Sequence, residues 1–138
     1  MPVLALDVGE RRIGVALSDP NETYALPLVT IERTSLREDL EAILVLAAEH
    51  RACTIVIGDP LTLAGERGIA AKKMDAFAAA LEGAFDGAVA RVDERMTTAL
   101  VTKRLIDADV SRAKRKRAVD QLAAASILET YLARSRPR

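Results

Sequence analysis

Two apolar, β-prone runs, Val3 to Val8 and Ile13 to Leu17, stand four residues apart in the stretch "LALDVGERRIGVALSDP". A continuous run of this length, broken only by Asp7, reads as a central strand buried on both faces. Gly9 to Arg12 then reads as a turn, and the two runs as a hairpin. This commits the start of the chain to antiparallel pairing. Asp7 is the anomaly within it, because desolvating an unpaired carboxylate is expensive. The run is either a hairpin with an accidentally charged turn or the floor of a site that needs a negative charge.

Further elements follow by pattern. Leu26 to Ile31 reads as a third strand. Ser35, with Glu38 three residues on, opens a helix with a capping box, in which Leu36, Leu40, Ile43, Leu44 and Ala47 recur at helical spacing. "CTIVIG" is a strand ending at Gly58, "DPLTLAGERG" a loop, Ile69 to Leu81 a helix, and "GAVARVDE" the fifth strand. A helix is expected over Met96 to Ala108. "VSRAKRKR" then reads as a link to a last helix from about Val119 to Ala133. Hairpins at the start and strand–helix alternation afterwards predict a mixed α/β sheet covered by helices.

The chain of 138 residues suits one domain, residues 1–133, with a basic tail over 134–138. Aromatic residues make up only 3%, so Ala, Val, Ile and Leu must fill the core. The single cysteine, Cys53, excludes an internal disulfide and reads as a small buried hydrophobe at a strand start. That usage fits a reducing, cytoplasmic setting. No leader pattern and no long apolar run is seen, so neither export nor a membrane span is expected.

Net charge is zero but unevenly spread. Lys103 to Arg138 holds ten basic and four acidic residues, a surplus of six positive charges that the remainder balances. Such a region attracts polyanions. Arg112, Lys114, Arg115, Lys116 and Arg117 form its densest part, and Arg11, Arg12, Arg67 and the pair Lys72–Lys73 extend it. Few aromatics (Tyr24, Phe77, Phe85, Tyr131) are available for base stacking, so sequence-independent phosphate contact is the expected mode.

Three carboxylates occupy positions that pattern assigns to the core. In the pleat, Val3, Ala5 and Asp7 share one face. Along the fifth strand Ala88, Ala90, Val92 and Glu94 share one face, while Val89, Arg91, Asp93 and Arg95 take the other. On the last helix Asp120, Ala123, Ala124, Ile127, Leu128 and Tyr131 form the apolar stripe. Taken singly, each acid would serve as a cap or a solvated strand end. Together they would repel unless a cation sat between them, and hard divalent ions such as Mg²⁺ or Mn²⁺ suit an oxygen-only donor set.

These segments, "LALDVGERRIGVALSD", "VIGDPLTLAGERG", "VDERMTTALVTKRL" and "RKRAVDQLAAASILETYL", closely resemble the YqgF/RuvX family of pre-16S rRNA nucleases and Holliday junction resolvase-like proteins. The resemblance runs from Val3 to Leu132. It implies an RNase H-like fold, a five-stranded mixed sheet flanked by helices on both faces. It makes Asp7, Glu94 and Asp120 the catalytic metal ligands, with Asp93 as a possible accessory. The chain departs from the family at Asp59, where an apolar residue usually stands between Gly and Pro. Asp59 serves either as a surface or capping residue or as a fourth carboxylate near the metals.

The resemblance implies phosphodiester hydrolysis with two divalent ions about 4 Å apart. One would activate a water and the other would steady the leaving 3′-oxygen. No protein nucleophile is needed, and His50 reads as a helix-terminal residue interacting with the dipole. The nucleic acid is RNA, at 16S precursor ends, or branched DNA; the latter would call for a homodimer, since a four-way junction is two-fold symmetric. Leu61 and Leu63 are candidates for that interface. Two other classes compete. "DVGERRIGVALSD" also resembles the phosphate-binding start of sugar kinases and heat-shock-chaperone ATPases, and a non-catalytic nucleic-acid-binding protein would use the carboxylates only as caps.

Overall fold

A computed structural model of the chain describes residues 2–19, 21–22, 24–59, 69–93 and 112–135. Strands β1 (Val3–Val8), β2 (Arg12–Ser18), β3 (Ala25–Glu32), β4 (Thr54–Asp59) and β5 (Ala88–Asp93) form one sheet in the order β3-β2-β1-β4-β5. The β1–β2 and β2–β3 pairs are antiparallel, and β1–β4 and β4–β5 are parallel. The hairpin start and the later crossovers thus share one mixed sheet with β1 at its centre. Helices α1 (Leu36–Glu49) and α2 (Ile69–Ala84) pack on one face, and α3 (Arg112–Ser135) packs on the other.

Burial follows the pleat. Leu4 and Leu6 join Ile13, Val15, Ile55 and Ile57 under Ile43, Phe77 and Leu81 of α1 and α2. Val3, Ala5, Ala16, Val56 and Val92 instead meet Ala124, Ile127, Leu128 and Leu132 of α3. Small residues on both sides of this second layer let α3 lie close to the sheet. Each fully buried Leu or Ile contributes about 1.5–3 kcal/mol, so both layers are held mainly by aliphatic packing. Arg91 leaves the α3 face and pairs with Asp75 of α2 at 2.6 Å.

Three local features depart from sequence expectation. Helix α3 begins at Arg112, seven residues before Val119, so the basic stretch forms helical turns and not a link. Lys and Arg are good helix formers, and no Gly or Pro intervenes. Cys53 is exposed, because Ala52 takes the buried position beside it and Cys53 lies just before β4. Along α1 the buried line is Asp39, Ile43 and Ala47, which leaves Leu36 exposed. Among the aromatics, Phe77 is core and Tyr24 exposed, in line with few being left for base stacking. The helix expected over Met96 to Ala108 lies outside the described residues, as do Leu61 and Leu63.

The ends of α1 are defined by specific bonds. The Ser35 hydroxyl accepts the Glu38 amide at 3.2 Å, and Glu38 itself accepts the Thr34 hydroxyl at 2.5 Å. At the other end His50 is the C-cap. The Arg51 amide donates to the Ala48 carbonyl and the Ala52 amide to the Ala47 carbonyl. This double closure needs a left-handed residue between, and Arg51 supplies it at φ 56°.

On the free edge, β3 carries the exposed Pro27 opposite Ala16, beside a register shift between Val15 and Ala16. At the far end, Gly87 precedes β5. A Cβ there would lie 2.2 Å from the Cys53 carbonyl oxygen and 2.6 Å from the Phe85 ring, so only glycine fits. No helix among the described residues is long and apolar enough to cross a membrane.

Candidate functional site

Asp7 sits one residue from the C-terminal end of β1 and is half-buried. It follows Val3 and Ala5 in the pleat, and so belongs to the α3 face. Its antiparallel partner is Gly14 of β2. The β1–β4 register ends at Leu6↔Ile57, and one further step places Gly58 level with Asp7. Gly58 in turn pairs with Val92, and Gly14 with Thr30. The row across the sheet therefore reads Thr30, Gly14, Asp7, Gly58, Val92. Neighbours directly across a pair share a face. The carboxylate thus lies between two residues with no side chain, and neither adjacent strand fills the space beside it. Isolated glycines within the runs "RIGV" and "VIGD" were the sequence signal for this notch.

The turn after Asp7 is tight. The Gly9 amide donates to the Arg12 carbonyl at 2.8 Å, and a Cβ on Gly9 would meet that oxygen at 3.0 Å. Arg12 opens β2 on the face of Gly14 and Ala16, hence on the face of Asp7. Its Nε lies 3.9 Å from Glu32 Oε1, a loose pairing with an exposed partner. Arg11 is exposed in the turn.

The remaining candidates divide as follows. Asp120 lies in α3, three and four residues before the buried Ala123 and Ala124, at the register position of the stripe facing the sheet. Arg112, Lys114, Arg115, Lys116 and Arg117 belong to the opening turns of the same helix, whose first turn holds no acid. Asp59 and Asp93 are register partners at the ends of β4 and β5. By alternation their positions fall with Ile57 and Arg91, on the face opposite Asp7. Glu94 and Arg67 lie outside the described residues. Among the described residues, no three His, Cys, Asp or Glu side chains gather as a metal cluster. Of the three predicted ligands, Asp7 alone has a described side chain. His50 ends α1, and Cys53 precedes β4 on the exposed surface.

Sequence reasoning passed over Arg33 and Asp39. A cleft of ≈ 990 Å³ opens beside the β1–β2 turn on the α1–α2 face, bordered by Gly9, Arg33, Asp39, Lys73 and Phe77. Asp39 is 2% exposed. Its carboxylate accepts Arg33 Nε at 3.0 Å and the Thr34 amide at 3.1 Å. An acid in the first turn of a helix reads as a favourable partner of the dipole, which hides such a buried bond.

Comparison with known proteins adds lineage to this geometry. A family model described as RuvX, Holliday junction resolvase, matches residues 1–134. A Myxococcus xanthus protein named "Putative pre-16S rRNA nuclease" is 40% identical over 137 residues, 99% of this chain and 91% of its own. Among solved structures, Thermus thermophilus RuvC superposes with a TM-score of 0.56 at 14% identity, covering 97% of this chain and 96% of RuvC. A ROK hexokinase from the same organism reaches 0.50 at 23% identity, over 76% of this chain and 38% of the hexokinase. At such identities the shared property is the fold. It is the RNase H-like arrangement, with helices on both faces of a five-stranded mixed sheet.

Proposed function

The chain belongs to the RuvX family, and from that membership we propose that it is a nuclease hydrolysing phosphodiester bonds in structured nucleic acid, at the ends of 16S rRNA precursors. The observation that carries the reading is the setting of Asp7. A half-buried carboxylate stands between Gly14 and Gly58, on the sheet face covered by the helix that bears Asp120.

Asp7, Glu94 and Asp120 are the residues that would hold divalent cations. Their donor atoms are all carboxylate oxygens, which fits Mg²⁺ or Mn²⁺ and disfavours softer ions. When bound, two such ions supply a water of lowered pKa and positive charge against the transition state. The residues of the chain do the rest. Asp7 offers negative charge at a fixed point of the central strand. Gly14 and Gly58, both buried, put no side chain of β2 or β4 directly beside it. Arg12, on the same face, and Arg11, in the adjoining turn, supply cationic contact to the backbone of the substrate. Arg112 to Arg117 in α3 extend that contact, with Arg67 as a further donor. Asp59 and Asp93, whose register positions fall on the opposite face from Asp7, are not counted among the groups that hold the metals. Hydrolysis breaks the bond from phosphorus to the 3′-oxygen, and no protein group forms a covalent link.

The chain reads as one domain, residues 1–133, working in the cytoplasm, with a basic tail over 134–138 whose first two residues, Arg134 and Ser135, still belong to α3. A second reading, cleavage of branched DNA, is favoured by the family description and by the end-to-end superposition on RuvC. It requires a homodimer cutting two strands symmetrically.

One cleavage panel tests both readings. It presents a 16S precursor end, a four-way DNA junction, single-stranded RNA and single-stranded DNA, with Mg²⁺ or Mn²⁺, to the protein and to Asp7→Asn. Cleavage of the precursor end, lost in Asp7→Asn, is the expected result. Cleavage of the junction alone moves the assignment to the resolvase. Binding without cleavage of any substrate leaves a non-catalytic nucleic-acid-binding protein, and ATP hydrolysis, assayed beside the panel, would point to the sugar-kinase relatives.

A further inference from the structure

The end of β1 is braced from one side only by strand pairing. The β1–β2 register continues through Val8↔Ile13, but the β1–β4 register stops at Leu6↔Ile57, one residue before Asp7. Beyond Asp7 the turn closes on itself through the Gly9 amide and the Arg12 carbonyl, and among the described residues it is tied to the rest of the fold by Arg33, the residue that follows β3. Arg33 Nη1 donates to the Gly9 carbonyl at 2.8 Å, and the Arg33 amide donates to the Arg11 carbonyl at 2.9 Å. Two donors of one residue thus take two carbonyls of one turn.

Arg33 is itself fixed. Its Nε reaches the buried Asp39 carboxylate at 3.0 Å, and its guanidinium carbon lies 5.7 Å from the centre of the Phe77 ring. Asp39 is anchored in turn, because its amide donates to the Ser35 carbonyl at 2.8 Å and its other oxygen accepts the Thr34 amide. One planar group therefore joins α1, α2 and the β1–β2 turn. A guanidinium can do this because its donors point in several fixed directions at once, and an ammonium cannot. An ion pair kept only to satisfy Asp39 would have no need to reach Gly9, whose carbonyl is exposed to water.

We infer that Arg33 is a positioning residue: it holds the Gly9–Arg12 turn against α1 and so fixes the end of β1 that carries Asp7. This deepens the nuclease reading and rests on it. Groups that orient metal ligands without touching the metal characteristically alter its affinity by about 10- to 100-fold, and Arg33 falls in that class through the backbone and not through a side-chain bond.

The test uses the full chain with Arg33→Ala, Arg33→Lys and, as control, Arg37→Ala, whose exposed pairing with Glu41 lies on the outer side of α1. Three quantities are read: Mn²⁺ affinity by electron paramagnetic resonance, hydrogen exchange of the Gly9 amide against that of Ala52, and kcat against KM for cleavage. Arg33→Ala is expected to weaken Mn²⁺ binding by about tenfold or more. It should speed exchange at Gly9 while leaving Ala52 unchanged, and lower kcat with KM retained. Arg33→Lys keeps the charge opposite Asp39 and should recover part of the loss. It carries the test if Arg33→Ala fails to fold. Mn²⁺ affinity within twofold of the parent in the folded variants, with Gly9 exchange unaltered, overturns the role of Arg33 while leaving the nuclease reading intact. Failure of the unsubstituted protein to bind Mn²⁺ overturns the metal reading and this role with it.

Discussion

Asp7 and Gly14 face each other across the antiparallel β1–β2 pair, on the sheet face that α3 covers. The arrangement puts no β2 side chain directly beside a carboxylate at the centre of the sheet, and Gly14 itself is buried. A side chain added there must displace its neighbours, so Gly14→Val is expected to lower stability by about 1–3 kcal/mol. In the folded variant it should also reduce Mn²⁺ affinity and cleavage by about tenfold, the scale of a displaced ligand environment. Calorimetric titration with Mn²⁺ beside thermal melting separates the two effects. Equal activity in Gly14→Val would show that the site tolerates a side chain beside Asp7.

The carboxylate itself should matter more than its surroundings. Asp7→Asn removes the charge at constant shape. Cleavage should fall by about 100-fold or more, which corresponds to roughly 2.7 kcal/mol of transition-state stabilisation. Stability should change little, because asparagine keeps the shape of the side chain and much of its hydrogen-bonding capacity. Single-turnover cleavage rates and a chemical denaturation curve are the two measurements. A variant that loses activity together with its fold would assign Asp7 to structure.

The opening turns of α3 place five basic residues where a helix dipole favours acids. Replacing Lys114, Arg115 and Lys116 by alanine should therefore not weaken the helix. It should weaken nucleic-acid binding equally across sequences, and lower the slope of log K against log salt by about 2 to 3. Fluorescence anisotropy over a salt series reads this directly. A sequence-dependent loss would mean that these residues touch base edges.

Two backbone positions test the packing independently of the site. Arg51 holds a left-handed conformation at the end of α1, where glycine is usual. Arg51→Gly is expected to stabilise the protein by about 0.5–1 kcal/mol, less than the ~1–2 kcal/mol a side chain costs there, since glycine also frees the unfolded chain. Gly87→Ala should destabilise it by about 1–3 kcal/mol, because its Cβ would strike the Cys53 carbonyl and the Phe85 ring. Paired denaturation curves should move in opposite directions.

Period and punctuation in the sequence carried most of the architecture. The β1 strand matches its predicted bounds, and the mixed sheet follows from the hairpin and the crossovers. The α3 stripe was legible from Ala123 to Leu128, because helical spacing is a local property. The start of α3 was not. A run of charges looks like a solvated link, although Lys and Arg propagate a helix well. The face of Asp7 was readable from parity alone. The place of Gly58 beside it was not, because register between strands 50 residues apart in sequence is a tertiary fact. Arg33 and Asp39 escaped for the same reason, since an exposed-looking Arg and a first-turn Asp become a buried pair only once β3 and α1 fold around the turn.

Pro27 has a consequence for assembly. It stands exposed on the outermost strand, has no N–H to offer, and sits where the ladder slips by a residue. Two molecules cannot readily zip their sheets together through that border, since proline and irregularity both interrupt edge-to-edge growth. A two-fold partnership of the kind a symmetric four-way substrate demands would then be built on helices, on loops or at the opposite border, β5, and not along β3.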